Sequence, residues 1–515
     1  MILARCVNYM GEDPLTKEQS PLGTESKRKE IRLETLWKKI PVPRVKLQDQ
    51  AGGVFDVASR FPKLAQTSPV HQRNFVCAVR PDLSVMSLKG LPRKMPFFEY
   101  TSVGFRIHGL MLPSELAPAV RGVEVLNNNN FSTERIESVY TLSAVDFGKG
   151  EITWEELKVE ILAAGRELLE NPDAETPYYP EKYRDSIVKH RADFERLLAE
   201  IEASKPIVIE RYTPFVLRTG DVSQYQAKDF VYKISCSTEN GSKKYEYICN
   251  SMHPRKRVTH SIQTVVEELE REKKYRLRVA PLEDQAFIEA SFDRLVERLK
   301  EQDPTSEKYE CYSDLATRAA FGVIFRSFVS DDDAISSFSP RLSELDHTKN
   351  EHILYFIETV YPTLLGRYLG RLHQQNITHG YPHFMNWLAN GKGIVDLDTV
   401  SAKVLGEAPS PEDFQTDLRM TLESVDASLS FRGFDGMLVQ NINGALFPLL
   451  GLTMADAWKS RERAFVNFIR SYCSICKENG GRVRRNVLRL PWNEYYDSKD
   501  APLWRYVKNA FRASF

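Results

Sequence analysis

The residues best suited to chemistry lie in one stretch, ITHGYPHFMNWLANGKGIVDLDT at positions 377–399. Asn386 supplies an amide carbonyl and Asp396 a carboxylate, and both are hard oxygen ligands of the kind that Mg²⁺ prefers. The other coordination positions of such an ion would go to water and nucleotide phosphates. Asp398, two residues further on, would share a second ion or point to the opposite face of a strand. The stretch therefore indicates phosphate chemistry.

Hydrophobic periodicity predicts the elements that position these side chains. Apolar residues recur at helical intervals from 353 to 372, which indicates a largely buried helix. A polar loop, a short strand, a Gly-Lys-Gly turn and a second short strand ending in carboxylates are expected to follow. Asn386 and Asp396 would then come from adjacent strands joined by that turn. Turn chemistry is the alternative, because Asn and Asp often bond backbone donors at such places.

The order of motifs in this segment has a counterpart in a known superfamily. LGRLH at 369–373 is followed by His379-Gly380, by Asn386 seven positions after the histidine, and by an apolar-Asp-apolar-Asp strand ending at Asp398. In these features it resembles the catalytic segment of the protein-kinase-like superfamily. The His-Gly start and the Asp-x-Asp ending are more similar to aminoglycoside and choline phosphotransferases, or to the AMP-transferring selenoprotein-O-like group, than to eukaryotic protein kinases.

The resemblance implies a nucleotide site that uses ATP and Mg²⁺. It makes His379 a structural histidine that ties the loop to the metal-binding aspartate, and it makes Asn386 and Asp396 the metal ligands. Asp398 would lie just after the metal aspartate, where it acts on the reaction or remains a solvated carboxylate. His383 would be a second candidate for a general base or would stack on the nucleotide, with packing inside the loop as the alternative.

Two positions depart from the family pattern. Phosphotransferases carry a catalytic aspartate two residues after the histidine, where this chain has Tyr381. The selenoprotein-O-like pattern places an acid immediately before the asparagine, where this chain has Met385. Neither is an obvious general base, since the tyrosine pKa is ordinarily near 10. Phosphoryl transfer depends mainly on positioning and electrostatics, so a pair of metal ions with Asp398 or His383 nearby would suffice for transfer.

The preceding β-rich block is expected to supply the other wall of the nucleotide site. Lys233, in the strand FVYKI, is similar to the superfamily's strand lysine that holds phosphates, although a solvent-facing lysine is the alternative. Glu267, Glu268 or Glu270 on the next helix would pair with it. Gly220 would stand in for a Gly-rich phosphate loop.

From these features we predict an α+β fold that contains a two-lobed, protein-kinase-like unit. We expect an N-terminal accessory region at 1–150 and a helical connector at 151–204. A β-rich N-lobe-like region at 205–349 and a helical C-lobe at 350–515 complete the chain. Within the first region, the broken apolar runs of 84–126 indicate strands and tight turns.

Composition excludes several classes of protein. The 515 residues are 42% hydrophobic, and 70 Lys and Arg balance 70 Asp and Glu. The zero net charge gives no strong signal for nucleic acid or an anionic membrane. The arginines at 482–489 are therefore expected to form a solvated face, and binding to an acidic partner or a nucleic-acid backbone is the alternative. No run of about 18 apolar residues predicts a membrane span.

The N-terminus and the cysteines favour a cytoplasmic protein. Acidic residues appear at Glu12 and Asp13 before any apolar segment of signal-peptide length can form. The seven cysteines are thinly spread and fit reduced thiols. Cys473 and Cys476 have the spacing of a motif, but a zinc site needs a second pair, so a helical core pair is preferred.

Two functions remain open at this point. The first is ATP- and Mg²⁺-dependent transfer of a phosphoryl or nucleotidyl group to an unknown protein or small-molecule acceptor. The second is a pseudokinase that senses a nucleotide or binds a protein partner and regulates it. A coincidental motif in an unrelated enzyme is the third possibility.

Overall fold

The protein is analysed as a computed structural model. It describes residues 38–66, 74–101, 104–178, 184–222, 230–239, 242–249, 257–260, 309–312, 315–328, 342–429 and 454–478, with scattered helical positions between 266 and 297. The Arg-rich run at 482–489 lies outside these described residues. None of the helices in the described part of the chain combines the length and the apolar composition needed to cross a bilayer.

The chain forms two compact units. The first takes the described residues up to Val216 together with Asn376–Tyr381 and Gly393–Ser410, and the second takes Leu217–Gln375, Pro382–Lys392 and the part from Pro411 onward. This division differs from the four consecutive segments predicted above. Its cause is that two short pieces of the 376–410 region pack with residues far earlier in the chain.

The first unit is built on a curled antiparallel sheet. Its strands and those of a separate hairpin are β1 (Lys38–Ile40), β2 (Arg44–Gln48), β3 (Val54–Asp56), β4 (Leu64–Gln66), β5 (Asn74–Val79), β6 (Val85–Lys89), β7 (Phe97–Thr101), β8 (Gly104–His108), β9 (Arg135–Asp146), β10 (Glu151–Thr153) and β11 (Ile207–Thr213). The sheet order is β1-β4-β5-β6-β11-β9-β2-β3, with β10 paired to β9. β7 and β8 form the hairpin.

Helices cover both faces of this sheet. The helices are α1 (Val57–Arg60), α2 (Pro113–Asn128), α3 (Trp154–Glu170), α4 (Arg184–Lys189) and α5 (Arg191–Ala203). On one face Val139 and Ile209, which are register partners, pack with Leu116 of α2. On the other face their neighbours Tyr140 and Val208 pack in a larger core with α3 and α5. Because side chains alternate along a strand, each face is buried by a different set of helices.

Helices predicted at 151–204 are present as α3 to α5, but they pack in the core of the first unit. Thr153 begins α3 with a capping box, in which its hydroxyl accepts from the Glu156 amide while the Glu156 carboxylate accepts from the Thr153 amide. The prediction of strands and turns across 84–126 is correct for β6 to β8 but wrong for α2. Pro118 and Gly122 inside α2 obscure its helical pattern in the sequence.

The β7–β8 hairpin contains a buried acid, Glu99, and gives a testable pH dependence. Arg106 Nε lies 2.5 Å and His108 Nδ1 3.2 Å from Glu99 Oε1. Burial alone would raise the pKa of Glu99, but the hydrogen bond from His108 and the charge of Arg106 outweigh it and lower the pKa to about 2. The carboxylate therefore stabilises the fold above its unfolded pKa near 4.3 and loses this effect as pH falls toward 2.

We expect wild type to lose about 2 kcal/mol more unfolding free energy between pH 6 and pH 3 than Glu99→Gln, because the amide does not titrate. Urea unfolding of both proteins across this range measures the difference. The titration of the other carboxylates changes the unfolding free energy of both proteins equally, so it cancels in the comparison. A constant difference at all pH values would show that Glu99 is not held ionised by its neighbours.

The second unit contains a separate four-stranded sheet. Its strands are β12 (Phe230–Glu239), β13 (Ser242–Cys249), β14 (Arg257–His260) and β15 (Tyr309–Tyr312), in the order β14-β13-β12-β15. The expectation of one sheet beginning at Ile207 is wrong, because β11 pairs with β6 and β9 of the first unit. The apolar run Phe215–Leu217, which lies in the region expected to be rich in strands, forms a bend and no strand.

Helices make up the rest of the second unit. They are α6 (Leu315–Arg326), α7 (Asn350–Tyr355), α8 (Tyr361–Gln374), α9 (Pro411–Leu429) and α10 (Met454–Glu478), with a π-helical turn, Phe356–Val360, joining α7 to α8. The buried helix predicted at 353–372 is thus confirmed. Gly366 lets α8 approach α10 closely, since a Cβ there would lie 2.4 Å from the Phe468 carbonyl oxygen. Cys473 is buried on α10, in agreement with a helical core position.

Candidate functional site

A lysine that sequence reasoning did not select, Lys89, ends the central strand β6. Lys89 is the register partner of Ile209, and Ser87 is the partner of Arg211. Partners in an antiparallel pair share a face, so these four side chains project from the sheet face that α2 covers. Lys89 Nζ lies 2.8 Å from Asp396 Oδ1, and the two side chains are 21% and 34% exposed. This ion pair joins the sheet to the segment with the predicted metal ligand.

Three hydrogen bonds hold the backbone around Asp396 in the first unit. The Thr133 hydroxyl donates to the Ile394 carbonyl at 3.0 Å, beside a parallel bridge between the two residues. His379 Nε2 lies 3.0 Å from the Val395 carbonyl oxygen, and the Thr399 hydroxyl donates to the His379 carbonyl at 2.7 Å. The expected tie between His379 and the aspartate segment is therefore present. His379 Nδ1 accepts from the Tyr381 amide, which assigns its proton to Nε2.

Asp396 has a left-handed backbone, with φ 67° and ψ 63°. Residues with a Cβ adopt this conformation at a cost, although aspartate tolerates it better than most. The Asp396 amide donates to Glu134 Oε1 at 3.1 Å. Glu134 Oε2 in turn accepts from Arg211 Nη1 at 2.8 Å, and both of these residues are almost completely buried. The aspartate is thus fixed through its main chain while its side chain reaches Lys89.

The turn after Asp396 packs tightly on α2. Leu397–Thr399 forms a 3₁₀ turn, not the strand end predicted from the alternation of apolar residues and aspartates. A Cβ on Gly122 of α2 would lie 2.0 Å from the Leu397 carbonyl oxygen. Only glycine permits this approach, so α2 fixes the position of the turn. The 3₁₀ turn was not predicted from the sequence because Leu397 packs against α2 and does not pair with a neighbouring strand.

Asp398 lies next to the ion pair and differs from an ordinary surface carboxylate. Asp398 is exposed to solvent as a residue. Protein atoms nevertheless surround part of its carboxyl group, and this partial burial raises its pKa. The negative charge of Asp396 raises the pKa further, whereas the charges of Lys89 and His379 oppose the shift. A carboxylate with a raised pKa binds a proton more readily than a free aspartate does. The catalytic role of Asp398 stays a prediction.

The second unit contains the other predicted loop residues, Asn386 and His383. Asn386 is buried, and its amide donates to the His383 carbonyl at 2.8 Å. His383 Nδ1 accepts from the Met385 amide at 3.1 Å, a bond within the loop. Trp387 and Leu388 do not form the predicted hairpin with Ile394, because Leu388 bridges Arg218 instead. Asn386 and Asp396 belong to different units, so their joint role as metal ligands stays a prediction.

The contacts of Gly220 argue against its predicted role in a phosphate loop. Its amide donates to the Phe384 carbonyl at 2.8 Å. A Cβ at this position would lie 1.7 Å from Met385 Sδ, so the glycine is needed for packing. Met385 itself is completely buried. An engaged amide and a covered Cα are properties of a packing glycine, and they leave no donor for a phosphate.

The other predicted nucleotide ligands, Lys233 and Glu267, are not brought to the ion pair by any described contact. Lys233 lies in β12, opposite Ile248 of β13 and Glu310 of β15. Glu267 is exposed, and its carbonyl accepts from Arg271 Nε in the same helical stretch. Both belong to the second unit, whereas the lysine that contacts Asp396 is Lys89 of the first. Their roles stay predictions.

The arrangement in the first unit brings charged groups of both signs close together. It offers an amine, two neighbouring carboxylates and a rigid backbone that carries them. Among the described residues, no group of three or more His, Cys, Asp or Glu side chains is arranged to hold a metal ion. Any ion at Asp396 would therefore take further ligands from an amide, from water or from a bound phosphate.

Lys89, Glu134 and Arg211 are the site residues that sequence reasoning missed. The run VMSLKG at 85–90, a short strand ending in lysine and glycine, is the signal that could have indicated Lys89. Nothing local marks Glu134 or Arg211, because their importance arises from contacts over long sequence distances. Comparison with family models, with curated proteins and with solved structures found no match.

Proposed function

We propose that the protein is an ATP- and Mg²⁺-dependent transferase of protein-kinase-like fold, which moves a phosphoryl or nucleotidyl group to an acceptor. The observation that carries the proposal is the ion pair between Lys89 Nζ and Asp396 Oδ1, at 2.8 Å. Lys89 at the end of β6 is followed by the β7–β8 hairpin, by α2 and by the strands β9 to β11 with their helices, and the distant Asp396 returns to it. In this proposal Lys89 replaces Lys233 as the residue that holds phosphates.

The residues of the first unit suit a magnesium ion. The Asp396 carboxylate is partly exposed, rigidly carried and already opposite a cation, and Asp398 adds a second carboxylate two residues later. The Asp396 carboxylate offers the hard oxygen ligand that Mg²⁺ prefers, and water and phosphate oxygens would complete the coordination. Bound there, the ion would neutralise phosphate charge.

Asp398 is the proposed general base, with His383 as the second candidate. The acceptor's hydroxyl proton would pass to the Asp398 carboxylate as its oxygen attacks phosphorus. Attack on the γ-phosphorus would release ADP, and attack on the α-phosphorus would release pyrophosphate. The exposure of Asp398 and its place two residues after Asp396 favour this role.

A pseudokinase is the second candidate function, favoured by two positions in the loop. Tyr381 occupies the place of the phosphotransferase aspartate and is 49% exposed. Met385 occupies the place of the selenoprotein-O-like acid and is completely buried, so it offers no base. Such a protein would bind a nucleotide without transfer, or bind a protein partner, and regulate that partner.

Nucleotide-dependent thermal stabilisation tests the proposal. ATP with Mg²⁺ at 100 times its Kd should stabilise wild type by about 2.7 kcal/mol. We expect Asp396→Asn to lose the Mg²⁺-dependent part of this shift, because the amide is a weaker ligand than the carboxylate. Asp185→Asn, at an exposed carboxylate of α4, is the matched control and should behave as wild type.

Labelled ATP then separates the candidate functions. Transfer of label from the γ-phosphate indicates a phosphotransferase, and transfer from the α-phosphate indicates a nucleotidyltransferase. Stabilisation by ATP with no transfer to any acceptor, including the protein itself, favours the pseudokinase. No stabilisation of wild type by any nucleotide at saturating concentration would contradict both nucleotide-binding proposals.

A further inference from the structure

We propose that Glu134 and Arg211 are positioning residues, which hold Asp396 in its left-handed conformation by binding its main-chain amide. The consequence for magnesium and nucleotide rests on the proposed function. The effect on the Asp396 backbone does not, because it follows from hydrogen bonds within the first unit. No motif in the sequence marks either residue.

The two oxygens of Glu134 have separate tasks. Oε1 accepts from the Asp396 amide at 3.1 Å, and Oε2 accepts from Arg211 Nη1 at 2.8 Å. A carboxylate with one oxygen engaged by a guanidinium has little freedom to rotate, so the other oxygen is aimed at the amide. The acceptor is therefore already oriented before any ligand binds.

Because the Glu134–Arg211 ion pair is almost completely buried, it is expected to add little net stability to the fold. Arg211 is 1% exposed and Glu134 is 3% exposed. Removing two charges from water costs about as much as their attraction returns, and apolar replacements are often neutral or stabilising. Stability alone thus does not account for the pair. Specific control of the neighbouring backbone does, because an apolar pair offers no acceptor to the Asp396 amide.

The sheet fixes the position of Arg211. It lies on β11 opposite Ser87 of β6, two residues before Lys89 on that strand. The same two strands therefore carry the lysine that contacts the Asp396 carboxylate and the arginine that orients the acceptor of its amide. The side chain of Asp396 is thus positioned by β6 directly, and its main chain is positioned by β11 through Glu134.

Two double variants separate the acceptor from the ion pair. Glu134→Gln with Arg211→Met removes both charges but keeps an oxygen that can accept from the Asp396 amide. Glu134→Leu with Arg211→Met removes the charges and the acceptor together. Glu134→Met with Arg211→Met provides a second apolar pair in case leucine packs poorly.

Hydrogen–deuterium exchange of the ligand-free proteins is the first readout. We expect the peptide covering 393–400 to exchange at least about tenfold faster in the apolar variants, because a buried hydrogen bond is lost. The Gln/Met variant should remain near wild type there, and peptides of β6 and β11 should be unchanged in all. Equal exchange of 393–400 in the Gln/Met and apolar variants, or no change in either, would overturn the proposal.

Mg²⁺-dependent stabilisation by ATP is the second readout. It should be retained in the Gln/Met variant and lost in the apolar variants. If wild type itself shows no response to nucleotide, the proposed function fails, and the exchange experiment still decides whether the pair positions Asp396. A uniform fall in melting temperature with local exchange unchanged would show that the pair is merely structural.

Discussion

Replacing Lys89 with methionine should weaken the binding of Mg²⁺-ATP by about 10- to 100-fold, the usual value of a charge-assisted hydrogen bond to a phosphate. Methionine keeps the length and apolar character of the lysine stem, so β6 should remain in place. The amine would be lost from the position where it now contacts Asp396, 2.8 Å away. Calorimetric titration of wild type and Lys89→Met with Mg²⁺-ATP measures the change in Kd.

Two control variants make this experiment specific. Lys63→Met removes an exposed lysine of the same unit and should leave the Kd unchanged. Lys233→Met tests the lysine that the sequence favoured, and we expect it to weaken binding far less than Lys89→Met. The reverse ranking would return the phosphate role to Lys233, and equal affinities in all three variants would remove the main support for the proposed site.

The sequence predicted best what depends on neighbouring residues. The helix at 353–372 was recognisable because its apolar residues repeat at helical intervals, and it is confirmed as α7, a π-helical turn and α8. The tie from His379 to the segment before Asp396 was also expected, and it spans only 16 residues. Local patterns determine helices and short loops, so these predictions needed no knowledge of the rest of the fold.

The contacts that the sequence did not reveal depend on pairing over long distances. Lys89 and Asp396 are separated by 307 positions, and the bond from the Asp396 amide to Glu134 spans 262. Lys233 was selected because its strand lies in the nearest preceding β-rich block. Which strand pairs with which is decided by packing of the whole sheet, as when β11 joins β6 and β9 instead of β12.

The left-handed conformation of Asp396 could not have been predicted either. An apolar-Asp-apolar-Asp sequence is typical of a strand, and aspartate only occasionally adopts positive φ. The surroundings impose the conformation: Thr133 and Glu134 bind the backbone on one side, and α2 packs against the following turn. Conflict between a local pattern and the observed conformation is expected at functional sites.

Substitution of Gly122 with alanine should lower stability and disturb the site together. In an exposed helix this change stabilises by about 1 kcal/mol, because alanine has the higher helix propensity. Here the new methyl group would lie 2.0 Å from the Leu397 carbonyl oxygen and 2.6 Å from the Leu397 Cβ. Since backbone must move to relieve this clash, we expect a net loss of about 1–3 kcal/mol in the free energy of unfolding.

The displaced turn carries Asp398 and directly follows Asp396, so Gly122→Ala should also abolish most of the Mg²⁺-dependent stabilisation by ATP. Gly165→Ala in α3 is the matched control, because the atom nearest its new methyl group is Leu198 Cδ2, the movable end of a side chain. That variant should keep the nucleotide response even if it loses some stability. Chemical denaturation and thermal shifts with ATP measure the two effects. A Gly122→Ala protein that is more stable than wild type and responds normally to nucleotide would show that α2 does not hold the aspartate segment in place.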